Sequence, residues 1–158
     1  MDDRRSSKAQ SRESGAEKLA EDFIPLVSFQ EDILTIDYGN SQRWTEEMSW
    51  RSFEMARPFY RPDRKFRVLI ILRSPTVTIG SFDQFLLSPI VQQATAATAI
   101  SAHWQLTEFC VAHELARLPK LDYPIRTFRS DDQAIEWLRQ IPYMVEPPAP
   151  ADGNGMPA

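Results

Sequence analysis

The sequence predicts an α/β domain: one mixed β-sheet, opened by a hairpin, with helices packed on it. Three observations carry this reading. Val68-Leu69-Ile70-Ile71-Leu72 is an unbroken apolar run rich in β-branched residues, which fits a strand covered on both faces. Two shorter apolar runs, 23–29 and 33–38, are separated only by Gln30-Glu31-Asp32, a hairpin spacing. From Thr45 onward, stretches with helical periodicity alternate with short apolar runs, the signature of strand–helix repeats.

Taken in order, residues 1–22 are mostly Ser, Arg, Glu, Lys and Ala and are expected to be a disordered tail, since they bury too little to offset ordering entropy. In the first strand Pro25 removes an amide donor, which suits a sheet edge. Gly39-Asn40 ends the second strand. Thr45 caps the first helix, with Glu46 and Glu47 where carboxylates favour the helix dipole. Ser49, Ser52, Phe53, Ala56 and Tyr60 lie close to one face of it, and Pro58 and Pro62 terminate it. The strand 66–72 follows and Arg73-Ser74-Pro75 breaks it. Ser81-Phe82-Asp83-Gln84 has capping-box spacing for a short helix. Ser88-Pro89 restarts that helix, and the Ala- and Gln-rich stretch to Ala97 continues it.

A strand is predicted over 98–104 and a helix capped by Thr107 to about Leu118, with Phe109, Val111, Ala112, Leu115, Ala116 and Leu118 on its buried half. Residues 124–129 form the last strand. Ser130-Asp131-Asp132-Gln133 is a second capping box, and Ala134, Trp137, Leu138 and Ile141 supply an apolar stripe. From Glu146 to 158 the chain is mostly Pro, Ala and Gly without an apolar cluster, expected to be a second disordered tail. The domain thus occupies 23–145, enough to bury a core without metal or disulfide.

The totals narrow the functional classes. The chain has 158 residues, 42% hydrophobic and 25% charged, with a net charge of −4, so no global field recruits nucleic acid. The single cysteine, Cys110, excludes an intramolecular disulfide. No apolar run approaches the ~20 residues needed to span a bilayer. These features fit a cytoplasmic protein.

The order of elements, Gly39 followed by Thr45-Glu46-Glu47, and the ending Ile125-Arg126-Thr127-Phe128-Arg129-Ser130-Asp131-Asp132-Gln133-Ala134-Ile135-Glu136-Trp137-Leu138 resemble the STAS superfamily. The nearest lineage is that of the SpoIIAA-like (STAS/SEC14-like) bacterial proteins. The resemblance covers the whole of 23–145 and implies a non-enzymatic regulatory domain without cofactor. In the anti-sigma-factor antagonists of that superfamily, a serine at the helix start after the central strand is phosphorylated by a partner kinase. Ser81 falls at or next to that phosphoacceptor position, while Gly80, Phe82 and Asp83 depart from the motif around it. A phosphate there would add nearly two negative charges and change the docking surface.

The working surface expected from this is the segment 73–91, with Arg73, Thr78, Gly80, Phe82, Asp83 and Gln84 as its contacts. The partner would be a protein, and a homodimer is left open; neither nucleic acid nor a membrane span is expected. A second reading is a lipid or small apolar ligand site lined by Phe82, Phe85, Leu86 and Trp104. Cys110 and His113, three apart on a helix, could form a reactive or zinc-binding pair, but no second ligand set accompanies them, so no catalytic or metal residue is assigned. Arg57, Arg61, Arg64, Lys65, Arg67 and Arg73 form a basic cluster, best read as solvated or paired at element ends.

Overall fold

A computed structural model describes residues 23–147; both expected tails, except for Glu146 and Pro147, lie outside the described residues. The elements are β1 (Leu26–Gln30), β2 (Ile33–Asp37), β3 (Arg43–Trp44), α1 (Glu46–Ala56), a 3-10 turn (Arg57–Phe59), β4 (Phe66–Leu72), β5 (Thr78–Ile79), α2 (Asp83–Leu86), α3 (Pro89–Ala94), β6 (Thr95–Ala102), α4 (Gln105–Ala116), β7 (Ile125–Phe128) and α5 (Asp131–Arg139). The main sheet has the order β1-β2-β4-β6-β7. β1 pairs antiparallel with β2, and every other neighbour is parallel. The mixed α/β sheet opened by a hairpin is therefore present, with Pro25 leading into an edge strand. A second, two-stranded parallel sheet joins β3 to β5.

All seven residues of β4 are buried. One face of the sheet offers Leu34, Ile36, Val68, Ile70 and Ile100 to Met48 and Ala56 of α1, Ala94 of α3 and Val111 of α4. The other face sets Ile33, Leu69, Ile71, Ala97 and Ala99 against Ala134 and Leu138 of α5. Alanines on β6 let the α5 backbone approach closely, and Ala97, Ala99, Ala134 and Leu138 are all 0% exposed. Crossovers between parallel strands keep one hand, so a sheet that grows in one direction puts its connecting helices on one face. Among the described residues, only α5, after the last strand, covers the other.

Arg67 was expected among solvated cations, yet it is buried at the amino end of β4. Its guanidinium donates to the carbonyls of Glu31, Asp32, Leu138 and Arg139 at 3.3–3.5 Å and lies 4.2 Å from the Tyr143 ring centroid. Two of those carbonyls end α5, where the helix dipole favours a cation. The other two belong to the hairpin turn, whose residues Glu31 and Asp32 stand at φ 51° and 60°. Left-handed backbone costs a non-glycine residue roughly 1 kcal/mol or more. Arg67, with the Arg139–Glu31 and Arg64–Asp32 ion pairs, holds the turn there.

Four local expectations are corrected. The helix expected through Ala97 stops at Ala94, and β6 starts at Thr95. Alanine favours helix, but the slot between β4 and β7 beneath α5 admits only small residues, and packing overrides propensity. Thr107 does not cap α4: the helix starts two residues earlier, and Thr107 is fully buried, donating to the Ser74 carbonyl at 3.0 Å. That hydrogen bond fixes the helix's rotation, turning Thr107 and Val111 inward and leaving Phe109, Ala112 and Ala116 exposed. Tyr60 is 51% exposed, because Pro58 tightens the chain into the 3-10 turn before it. Ser81 caps nothing, for α2 begins at Asp83 with no side-chain cap.

Candidate functional site

Three parallel strands deliver side chains to one end of the sheet. Beyond β4, Arg73 donates through Nε and Nη2 to Asp37 Oδ2 at the end of β2, at 3.3 and 2.9 Å. The other Asp37 oxygen accepts from the Gly39 amide at 2.7 Å. Next to this pair, Asp131 Oδ1 at the start of α5 accepts from Ser101 Oγ at 2.6 Å and meets His103 Nε2 at 2.8 Å, both residues coming from the end of β6. Burial pushes the Asp131 carboxyl up, but hydrogen bonds from His103 and Ser101, with the charges of His103 and Arg73, outweigh it and hold the group below its ordinary value.

Serine, histidine and aspartate within hydrogen-bond reach suggest a nucleophile and base, but the connectivity is different. A triad needs the imidazole between hydroxyl and carboxylate. Here the carboxylate stands between the other two, and one oxygen engages both. The arrangement docks the start of α5, already capped by Ser130 through the Gln133 amide, onto the end of β6. Sequence reading explained Asp131 by the helix dipole alone and missed this contact, which joins residues 28 and 30 apart.

The segment after β4 is less free than a loop. Thr78 and Gly80 donate backbone hydrogens to Gln42 and Trp44, strapping β5 to β3. Ser81, Asp83 and Gln84 are exposed, as is the Thr78 side chain. Phe82 is not a surface contact: it is 6% exposed, its ring centroid 4.4 Å from that of Trp44. Burial of this ring also explains why Ser81 fails to cap, since the chain turns inward at the next residue.

A feature missed in the sequence adjoins this segment. Trp104, Leu106 and Phe109 are 53%, 56% and 69% exposed and crowd the start of α4. The Trp104 indole donates to the Arg73 carbonyl at 3.1 Å, and Phe109 stacks on His113. The available signal was Leu106, an apolar residue lying off the half of α4 expected to be buried.

Beneath the helices lies an apolar cavity of about 60 Å³, lined by Trp44, Phe53, Phe82, Phe85, Leu115 and Tyr123 among others. Phe82, Phe85 and Leu86 do line it, whereas Trp104 does not. Its volume is far below the roughly 300–1,000 Å³ of drug-sized ligand pockets. Among the described residues no group of three or more His, Cys, Asp and Glu could hold a metal ion. Cys110 is half-buried, and His113 is exposed against Phe109. The basic cluster is dispersed, with Arg57, Arg64 and Arg73 each on its own carboxylate. No helix of the described residues is long and apolar enough to cross a membrane. No family model, curated protein or solved structure matches the chain.

Proposed function

We propose that this chain is a non-enzymatic, STAS-like protein-interaction domain, and that its partner docks at the carboxyl end of the parallel strands. The observation that carries this is the group Trp104, Leu106 and Phe109, three large apolar side chains more than half exposed within six residues. Isolated exposed apolar residues are ordinary, but a contiguous group containing aromatics has the composition of an interface core. Helix α4 also packs against β5, which carries the exposed Thr78 and leads to the exposed Ser81, Asp83 and Gln84, so one partner can span both. Ser81 is the position at which a phosphate would act: it is exposed, and the buried Phe82 follows it directly. The sequential parallel strands after an antiparallel edge hairpin support the STAS resemblance. The small cavity gives the lipid or apolar-ligand reading less support than the exposed group gives this one.

Photo-crosslinking residues placed at Phe109, Gln84 and, as a control, Thr35 on the opposite face of the sheet test the proposal in the native cell. Capture of one shared protein from positions 109 and 84, reduced by Leu106→Ala with Trp104→Ala, is expected. Capture confined to position 35 overturns it.

A further inference from the structure

Strand β1 closes one edge of the main sheet. Natural edges are normally blunted by charge, internal proline, a bulge or shortness. None of these devices is present in β1: Leu26-Val27-Ser28-Phe29-Gln30 carries no charge and pairs with β2 over five residues in unbroken register. Its flank is apolar too, with Ile24 and Leu26 72% and 69% exposed.

Hydrogen-bond parity identifies which groups the edge offers. A two-residue turn closes on a pair, Gln30 and Ile33, that exchanges both its hydrogen bonds. The alternation then directs the backbone of Leu26, Ser28 and Gln30 toward β2 and that of Val27 and Phe29 outward. An antiparallel copy of the same strand, related by a two-fold axis through Ser28, sets Val27 opposite Phe29 of the copy and Phe29 opposite Val27. Both pairs are then of the hydrogen-bonded kind, giving four interchain bonds, and the two Ser28 residues meet as a non-hydrogen-bonded pair. Shifting the axis to Val27 brings in Pro25, which has no N–H to donate. Shifting it to Phe29 brings in Glu31, whose φ of 51° has left the strand. One register satisfies the edge.

We infer that the β1 edge is the interface of a two-fold homodimer, in which two five-stranded sheets join across Ser28. Its occupant is a second copy of this chain because the strand complements itself in backbone parity, cross-strand pairing and lack of like charges at the axis. The inference is independent of the docking surface around Trp104, which belongs to other strand ends.

The interface is small, so association is read by sedimentation of the full chain at concentrations up to about 100 μM. Twice the monomer mass is expected. Ser28→Lys, which sets like charges on the axis, should give a monomer with an unchanged circular-dichroism spectrum, and Val27→Pro, which removes an outward N–H at some cost in the core packing of Val27, should also give a monomer. In a Cys110→Ala background, Ser28→Cys should form an interchain disulfide on mild oxidation, because non-hydrogen-bonded pairs hold their Cα atoms about 4.5 Å apart. Leu26→Cys should not. A wild-type monomer throughout the range, a dimer that survives Ser28→Lys, or thiols at position 28 that fail to cross-link overturns the inference. Occupation of the edge by residues 1–22 of the same chain would appear as the first and third of these.

Discussion

The Trp104 indole nitrogen donates to the carbonyl oxygen of Arg73 at 3.1 Å, tying the turn after β6 to the turn after β4. A tryptophan more than half exposed would ordinarily sample several rotamers. This bond holds its ring in place at the start of α4 before any partner arrives. Trp104→Phe should therefore keep the apolar surface but release the ring, costing ~1 kcal/mol or less in urea unfolding while weakening partner capture. Leu106→Ala and Phe109→Ala should leave stability within about 0.5 kcal/mol, as substitutions at exposed positions usually do.

Arg67 predicts the opposite behaviour. Four carbonyls and an aromatic ring surround a guanidinium that is 7% exposed, so its removal leaves acceptors unpaired and a void between the hairpin turn and the end of α5. Arg67→Ala should lower unfolding free energy by about 3 kcal/mol or more. Arg67→Lys should recover little, because one ammonium cannot reach groups spread as a fork. Chemical denaturation of the two variants checks this.

The Asp131 carboxyl is depressed in the folded chain, and its linkage to stability follows. A carboxyl whose folded pKa lies below its unfolded value of 3.8 stabilises the fold above that value, and the contribution is lost as pH falls through the folded pKa. Asp131→Asn should be less stable than wild type at neutral pH, and the difference should shrink on acidification below 3.8. Thermal melts of both proteins across that range measure it; a constant difference refutes the linkage.

The serines of the two capping boxes should differ in a way their sequences do not announce. Ser130→Ala removes an acceptor for the Gln133 amide and should cost about 1 kcal/mol. Ser81→Ala removes no cap and should lie within about 0.5 kcal/mol of wild type. Equal losses at both sites would contradict the α2 start described above.

These paired serines show how far the sequence could be read. Ser130 is followed by residues that lie along α5 with no competing demand, so local spacing and tertiary structure agree. Ser81 has the same spacing, but Phe82 is drawn to Trp44, 38 positions earlier in the chain, and that burial outweighs a single hydrogen bond. For the same reason the alanines of β6 read as helix, although the space under α5 makes them strand.

By itself the sequence determined the alternation of elements, the edge hairpin, the wholly buried β4 and the caps of α1 and α5. Each of these depends on periodicity or on residues within a few positions of one another. Only the tertiary structure decided the rotation of α4, the burial of Arg67 and the meeting of Ser101 and His103 on Asp131. Each of those depends on groups brought together from separate elements: the Thr107–Ser74 bond, four carbonyls from the hairpin turn and the end of α5, and one carboxylate at the end of the sheet. Local sequence constrains conformation through short-range sterics and hydrogen bonding, whereas such meetings depend on how the layers pack. The exposed group at Trp104, on which the proposed function rests, is a consequence of that packing.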